Sequence, residues 1–205
     1  MKNLPITGLF LLLCSQLNAQ SNWELFRKES NPIKVWVLMH PFKVKKAYKI
    51  SLEANKVSDS ISKTNLLDKD QSGGQVDAFR HAYWMATLRQ EIGKCAARSL
   101  GKAHERANYK LFKNHQLEDG ILPDKASKEM DLFNNDVGLG MTYKNDSRLK
   151  SGLIFKIVNK IHQGNLKIIK KDTLGNYISC NGNVILVEEI RHTWENGKCV
   201  IPSNK

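Results

Sequence analysis

One stretch decides the predicted fold: residues 75–88, which read Q-V-D-A-F-R-H-A-Y-W-M-A-T-L. Apolar and aromatic residues recur at helical spacing around most of its circumference, which is typical of a helix that is buried on all sides. Asp77, Arg80 and His81 lie on the remaining stripe of the same helix. Because a buried polar group destabilises a fold unless it is paired, other segments must supply partners for these three side chains.

Further helices are predicted on both sides of this central helix. Pro41 occupies a first helical position and begins a helix that extends to about Ser62. The short run 32–39 before it fits a strand or a buried helical turn equally well. Gly93 should end the central helix, and the following helix starts almost at once. Two more helices are predicted over residues 125–138, where Phe133 lies on an apolar stripe, and over residues 153–162.

The pattern changes in residues 165–205. Short β-like runs separated by Gly-containing turns predict strands over residues 166–171, 176–180, 184–190 and 198–201. Cys180 and Cys199 flank this region and are expected to form a disulfide, whereas Cys95 lies in a helical pattern and is expected to be a small buried side chain. The predicted fold class is therefore mainly α: a helical domain over residues 20–164 with a buried central helix, plus a small C-terminal antiparallel β-meander over residues 165–205.

The first nineteen residues have the pattern of a secretory signal peptide. Lys2 precedes an apolar run over residues 6–14, and the small residue Ala19 marks the expected cleavage site. The run is too short to span a bilayer, so we expect no transmembrane segment and a periplasmic or extracellular location. An oxidising compartment also fits the expected disulfide.

The chain is strongly basic, with a formal net charge of +12 over 205 residues. Such a charge favours anionic partners, namely nucleic acid, lipid headgroups or an acidic cell-wall polymer. The lysines are spread along the chain and do not interleave with aromatic residues as in a nucleic-acid platform. A solvated basic surface that meets an anionic substrate or surface is therefore favoured, although nucleic acid is not excluded.

Three predicted helices direct polar side chains toward a common interior. The eight candidate site residues are Asp77, Arg80 and His81 on the first helix, His104 and Glu105 on the second, and Asp131, Asn134 and Asn135 on the third. Asp77 and His81 are four residues apart, as are Asp131 and Asn135, and this spacing lets two helical side chains bind the same ion or ligand. Nitrogen and oxygen ligands of this kind suit zinc or manganese. The predicted metal ligands are Asp77, His81, His104 and Asp131.

Each of these side chains has a chemical role under this hypothesis. A bound metal would lower the pKa of a water molecule, Glu105 or a remaining carboxylate would accept its proton, and Arg80 would hold an anionic substrate or developing charge. The same residues also fit metal-free acid–base chemistry. They fit equally a purely structural network in which Asp77 or Asp131 pairs with Arg80. Without sequence-adjacent ligands, the pattern does not choose between these alternatives.

Three motifs in fixed order carry a family resemblance. They are D-A-F-R-H-A-Y-W (residues 77–84), A-H-E (103–105) and M-D-L-F-N-N-D-V-G (130–138). Together they resemble the signature of an uncharacterised domain family of bacterial exported proteins, found alone or at the ends of toxin-like polypeptides. The resemblance covers about residues 30–140 and departs at Leu139, where a basic residue is expected. It implies that the motif residues act together in an active site, and it implies no reaction.

Two functions follow as expectations. The first is a secreted hydrolase, metal-assisted or not, that acts on an anionic or phosphoester substrate. The alternative is a non-catalytic envelope or secreted binding protein whose polar cluster is structural; the toxin-like contexts add an antibacterial effector as a third. Burial separates the first two, because an enzyme needs its polar cluster to line an open cleft.

Overall fold

The structure is a computed structural model, and it describes residues 23–205 apart from Leu25, Asp119, Ser147, Arg148 and His192. The predicted signal peptide lies outside the described residues. Among the described residues, no helix combines the length and the apolar character needed to cross a bilayer.

The prediction of a mainly α fold is confirmed. The helices are α1 (Asn31–Met39), a 3-10 turn (Pro41–Lys43), α2 (Val44–Ser62), α3 (Gln75–Ile92), α4 (Lys94–Lys113), α5 (Lys125–Gly140), α6 (Lys150–His162) and the short α7 (Val187–Ile190). Two short strands, β1 (Lys167–Ile169) and β2 (Val200–Pro202), form an antiparallel pair in which Ile168 lies opposite Ile201.

Helix α3 is the central helix, as predicted. Most of its side chains are buried, and it packs against α2, α4, α5 and α6. One apolar cluster lies on its side toward α2 and α6, and a second joins it to α1 and α4. Gly93 ends α3 with a φ of 86°, a left-handed conformation that glycine adopts without strain, so α4 can start at the next residue.

Glycines set how closely the three central helices approach. A Cβ atom on Gly138 of α5 would lie 2.3 Å from the carbonyl oxygen of Ala82 in α3. On α4, a Cβ atom on Gly101 would lie 3.3 Å from the side-chain nitrogen of Asn135. Any larger residue at position 138 would have to push α3 and α5 apart. The final glycine of the third motif is therefore required by the distance between these helices.

The structure decides one open alternative and corrects two local predictions. Residues 32–39 are helical, and Trp36 anchors α1 by donating a hydrogen bond from Nε1 to the carbonyl oxygen of Ala96 at 3.0 Å. The strand predicted over residues 184–190 is wrong in its second half, because only Val184 is bridged to another strand-like residue, and residues 187–190 close a helical turn that buries Ile190. Cys95 is exposed, since the adjacent Ala96 and Ala97 take the buried face of α4.

The C-terminal region is joined to α5 by a buried ion pair. Lys198 Nζ lies 2.6 Å from Asp124 Oδ2, and the two side chains are 1% and 2% exposed. Asp124 also caps α5 by accepting a hydrogen bond from the backbone N–H of Ser127 at 2.8 Å. The expected disulfide forms between Cys180 and Cys199, next to Lys198. The C-terminal region thus fixes the start of the helix that carries Asp131.

Candidate metal centre

Three of the predicted ligands meet between α3 and α5. One ligand atom from each of Asp77, His81 and Asp131 lies within 4.8 Å of the other two. His81 Nε2 is 3.2 Å from Asp131 Oδ1 and 3.5 Å from Asp77 Oδ1. The three residues are only 6%, 5% and 6% exposed. This group could hold a divalent ion with one nitrogen and two oxygen ligands.

Asn135 is the hydrogen-bond partner of the His81 ring. Its side-chain oxygen lies 3.3 Å from His81 Nδ1 and accepts a hydrogen bond when that nitrogen carries the proton. The lone pair is then on Nε2, the nitrogen that faces Asp77 and Asp131. A metal-binding histidine is commonly oriented by a hydrogen bond of this kind from its other ring nitrogen. Asn135 therefore orients a candidate ligand.

Asp77 is held in place by its own helix and by the preceding loop. Its Oδ2 accepts a hydrogen bond from the backbone N–H of Gly73 at 2.7 Å, and its Oδ1 accepts one from Arg80 at 2.6 Å. The predicted pairing of Arg80 with Asp77 is therefore present. It leaves Asp77 Oδ1 facing both the guanidinium group and His81.

Several buried polar atoms around this group lack partners. Asp131 Oδ1, Asn135 Nδ2 and both side-chain oxygens of Glu105 have no hydrogen-bond partner within the part of the chain that the structure describes. The short distance between His81 and Asp131 is thus a close approach without hydrogen-bond geometry. Each such atom loses its hydration without compensation, a cost of roughly 1–3 kcal/mol. A metal ion or another ligand that binds these atoms would remove that cost.

The electrostatics of the site point the same way. Burial, reinforced by the charges of Asp77 and Glu105, raises the pKa of Asp131 well above its ordinary value. Burial likewise raises the pKa of Asp77, and that of Glu105 to about 7. Burial, together with the charge of Arg80, lowers the pKa of His81 to about 3, so the imidazole is neutral at physiological pH. A neutral imidazole beside crowded carboxyl groups is a favourable environment for a cation.

His104 lies beside this group without joining it. Its ring centroid is 6.4 Å from that of His81, but its Nε2 lies 3.0 Å from Glu118 Oε1, and its side chain is 35% exposed. Burial alone would lower the pKa of His104, but the hydrogen bond to Glu118 and the charges of Glu105 and Glu118 together outweigh it and raise that pKa. Glu118 is a site residue that the sequence does not predict, because it follows α4 in a segment without helical periodicity.

The remaining predicted residues take different places. Glu105, expected beside a core-facing His104, is the more deeply buried of the two. Asn134 donates to the carbonyl oxygen of Lys167 and accepts from its backbone N–H, both at 2.9 Å, so its amide holds β1 against α5. Phe133, predicted to be apolar core, is exposed, and Asp131, Asn134 and Asn135 take the buried face of α5 instead.

A polar cleft reaches the edge of this site. It has a volume of about 370 Å³ and is lined by Asn55, Ser58, Asp59, Gln71, Ser72 and Arg80. Arg80 joins the cleft to Asp77, with which it is ion-paired. Burial therefore does not separate an enzyme from a binding protein with a structural cluster. His81 and Asp131 are buried and incompletely paired, while Arg80 and His104 are partly accessible.

All eight predicted site residues lie within one segment that is similar to a known family. The chain has no match among curated proteins and none among solved structures. Residues 34–165, more than half of the chain, match a family described as Domain of unknown function (DUF6973). The segment includes α3, α4 and α5 with their motifs, and it excludes the disulfide. The chain therefore belongs to the family of domains of unknown function DUF6973.

Proposed function

We propose that this protein is a metal-assisted hydrolase that acts on an anionic, phosphoester-type substrate. The observation that carries the proposal is the group of Asp77, His81 and Asp131, whose ligand atoms converge within 4.8 Å while Asp131 Oδ1 stays unpaired within the described residues. A structural network would have paired that oxygen, because unpaired buried carboxylates are costly.

The ligand set suggests the kind of metal. Two carboxylates and one neutral imidazole favour zinc or manganese over the soft metals that prefer sulfur ligands. Three protein ligands leave further coordination positions for water and substrate, as in catalytic rather than structural zinc sites. When bound, such an ion supplies a water molecule of lowered pKa.

Glu105 has the properties of a general base for this site. Its carboxyl group is buried and unpaired within the described residues, and burial raises its pKa to about 7. A base whose pKa is close to the working pH both accepts and releases a proton readily. The partly exposed pair of His104 and Glu118 lies beside Glu105, and it offers a way for the proton to reach solvent.

Arg80 is the group we assign to substrate binding. It lines the polar cleft and is also paired with Asp77, so an anion bound in the cleft would lie beside the candidate metal centre. A guanidinium group suits phosphate because it offers several N–H donors in one plane. The net charge of +12 also favours the approach of an anion.

Export is part of the same proposal. The disulfide between Cys180 and Cys199 fits an oxidising compartment, and residues 1–19 have the pattern of a signal peptide. The resemblance to toxin-associated bacterial proteins supports a role as a secreted effector, which we include as one biological setting for the hydrolase.

Elemental analysis of the purified protein tests the metal site. We expect close to one equivalent of zinc or manganese in the wild type and a strong loss in Asp131→Asn. Asp136→Asn is the matched control, because Asp136 lies on the same helix at an exposed position where it pairs with Arg98. Equal metal contents in the two variants, or a wild type that retains no metal after exposure to zinc or manganese, would overturn the metal site.

Hydrolysis of a generic phosphodiester such as bis(p-nitrophenyl) phosphate tests the activity. We expect turnover that depends on added metal. The kcat should fall by about 10²-fold or more in Glu105→Gln, and KM should rise in Arg80→Lys. A metal-loaded protein that hydrolyses neither phosphodiesters nor phosphomonoesters would contradict the substrate class while leaving the metal site intact.

The second candidate is a binding protein without catalysis. The deep burial of His81 and Asp131 favours it, because a cluster closed to substrate can only stabilise the fold. A folded His81→Ala variant distinguishes the two, since it would lose activity if the protein is an enzyme and would lose only stability if the cluster is structural.

A further inference from the structure

An apolar ridge lies on the outer face of α1 and on the turn that follows it. Leu38 and Met39 are 71% and 72% exposed, and Phe42 is 98% exposed. Val35 extends the ridge by one turn toward the start of the helix. The opposite face of α1 is fixed to the protein through the buried Trp36, whose indole N–H is bonded to the carbonyl oxygen of Ala96. The ridge is therefore held rigidly outward.

The ridge continues into a basic stripe. Lys45 and Lys49 follow Phe42 at i+3 and i+7, and both are exposed. Between Glu29 and Glu53 the sequence contains five lysines and no acidic residue. Tyr48 lies exposed between Lys45 and Lys49, so an aromatic ring with a polar tip sits among the charges. Apolar and cationic groups are thus concentrated together on one side of the domain.

We infer that this ridge docks the protein on an anionic lipid bilayer. Exposed Leu, Met and Phe side chains gain free energy on entering the boundary between headgroups and acyl chains, and lysines beside them bind anionic headgroups. An acidic protein would pair with the lysines, but it would cover the protruding Phe42 only if it also carried an apolar groove. The combination of a protruding apolar ridge with the adjacent exposed Lys45 and Lys49 favours a lipid surface.

The inference is independent of the metal centre. The ridge belongs to α1 and the start of α2, whereas the candidate ligands belong to α3 and α5. Its consequence is that the domain works at a membrane surface.

Quenching by brominated lipids locates the contact. Phe42→Trp and Phe155→Trp are prepared in the full chain; Phe155 is also an exposed aromatic residue, but it lies on α6. With vesicles of phosphatidylcholine containing about 30 mol% phosphatidylglycerol and brominated acyl chains, we expect the added fluorescence of Phe42→Trp to be quenched. The added fluorescence of Phe155→Trp should stay unquenched. Both variants share residues 1–22, so any lipid contact of that segment cancels in the comparison.

Charge variants test the anionic specificity. Lys45→Gln with Lys49→Gln should weaken binding to these vesicles by roughly 30-fold, since each lysine near the surface contributes about a factor of five or six. Lys102→Gln with Lys110→Gln, two exposed lysines of α4, is the control and should change binding much less. Binding of the wild type should fall steeply between about 0.05 M and 0.5 M salt.

Three results would overturn the inference. One is equal quenching at positions 42 and 155. The second is equal binding to vesicles with and without phosphatidylglycerol. The third is a dimer in solution that dissociates in Phe42→Ser, because a second copy of the chain would then cover the ridge.

Discussion

Helix α5 carries two buried aspartates in opposite situations. Asp124, at its start, is ion-paired with Lys198. It also accepts hydrogen bonds from the side chain of Asn196 and from the backbone N–H of Ser127, which caps the helix. Asp131, two turns later, approaches His81 but leaves Oδ1 without a hydrogen bond among the described residues. Burial alone would raise both pKa values. The charge of Lys198 and the hydrogen bonds to Asp124 together reverse this and lower the pKa of Asp124, whereas that of Asp131 is raised. The chain can evidently pair a buried aspartate fully, so the incomplete pairing of Asp131 points to a ligand.

The largest expected effect comes from breaking the paired end. Lys198→Met leaves Asp124 buried without its cation and should reduce the free energy of unfolding by about 3–5 kcal/mol. Urea denaturation measures the change. Combining it with Asp124→Asn should recover part of the loss, because the double variant no longer buries a lone charge.

The control for this prediction is Lys125→Met. Lys125 pairs with Glu195 at the same end of α5, but both side chains are largely exposed, so little or no change is expected. If Lys125→Met destabilises the protein as much as Lys198→Met does, burial is not what distinguishes the two ion pairs.

The next largest effect comes from separating α3 and α5. Gly138→Ala places a Cβ atom against the backbone of Ala82 and should cost roughly 1–3 kcal/mol of stability. Metal affinity should fall with it, because Asp131 then moves away from His81. Titration calorimetry with zinc measures the affinity.

Gly140→Ala is the matched substitution on the same helix. Nothing lies within 4 Å of a Cβ atom at that position, so stability should be unchanged or slightly higher. Equal zinc affinities in the two alanine variants would show that the approach of Gly138 to Ala82 does not set the site geometry.

A smaller effect of opposite sign is expected at the unpaired aspartate. In the presence of a chelator, Asp131→Asn should stabilise the protein by roughly 1 kcal/mol, because it removes a buried carboxylate whose cost is not repaid. Thermal unfolding with and without zinc measures this change, and the variant should lose most of the stabilisation that zinc gives to the wild type. A metal-free Asp131→Asn that is less stable than the wild type would indicate that Asp131 is already well satisfied.

The pH dependence should separate the two aspartates by sign. The pKa of Asp131 is raised above 3.8, so the native state keeps a proton that the unfolded state releases, and its contribution to stability falls as pH rises above 3.8. The pKa of Asp124 is lowered, so its contribution is present above 3.8 and is lost as pH falls through the folded value. The gain from Asp131→Asn under chelation should therefore grow between about pH 4 and pH 7. A gain that shrinks over that range would contradict the raised pKa.

The helical core could be predicted because its signal is local. Apolar periodicity identified α3, Gly93 marked its end, and the i, i+4 pairs identified the faces that carry Asp77, His81 and Asp131. The pairing of Cys180 with Cys199 could be predicted because the two residues flank the β-like region. Each of these predictions depends on residues a few positions apart, or on chemistry that leaves one sensible partner.

The errors concern partners that are distant in sequence. Periodicity showed that Asn134 faces inward but could not show that it bonds to the backbone of Lys167. It could not show that a loop residue, Glu118, would engage His104. Phe133 was predicted to be buried because it is apolar, but it is exposed. The adjacent polar stripe of Asp131, Asn134 and Asn135 is buried instead.

The disulfide has a consequence for the order of maturation. Cys199 follows Lys198 directly, and closing a loop with a sequence separation of 19 contributes roughly 3 kcal/mol to stability. While the thiols are reduced, the C-terminal region holds Lys198 less firmly against the first turn of α5. We therefore expect the protein to reach its full affinity for added zinc or manganese only after this disulfide has formed, so that oxidation would precede assembly of the candidate metal centre.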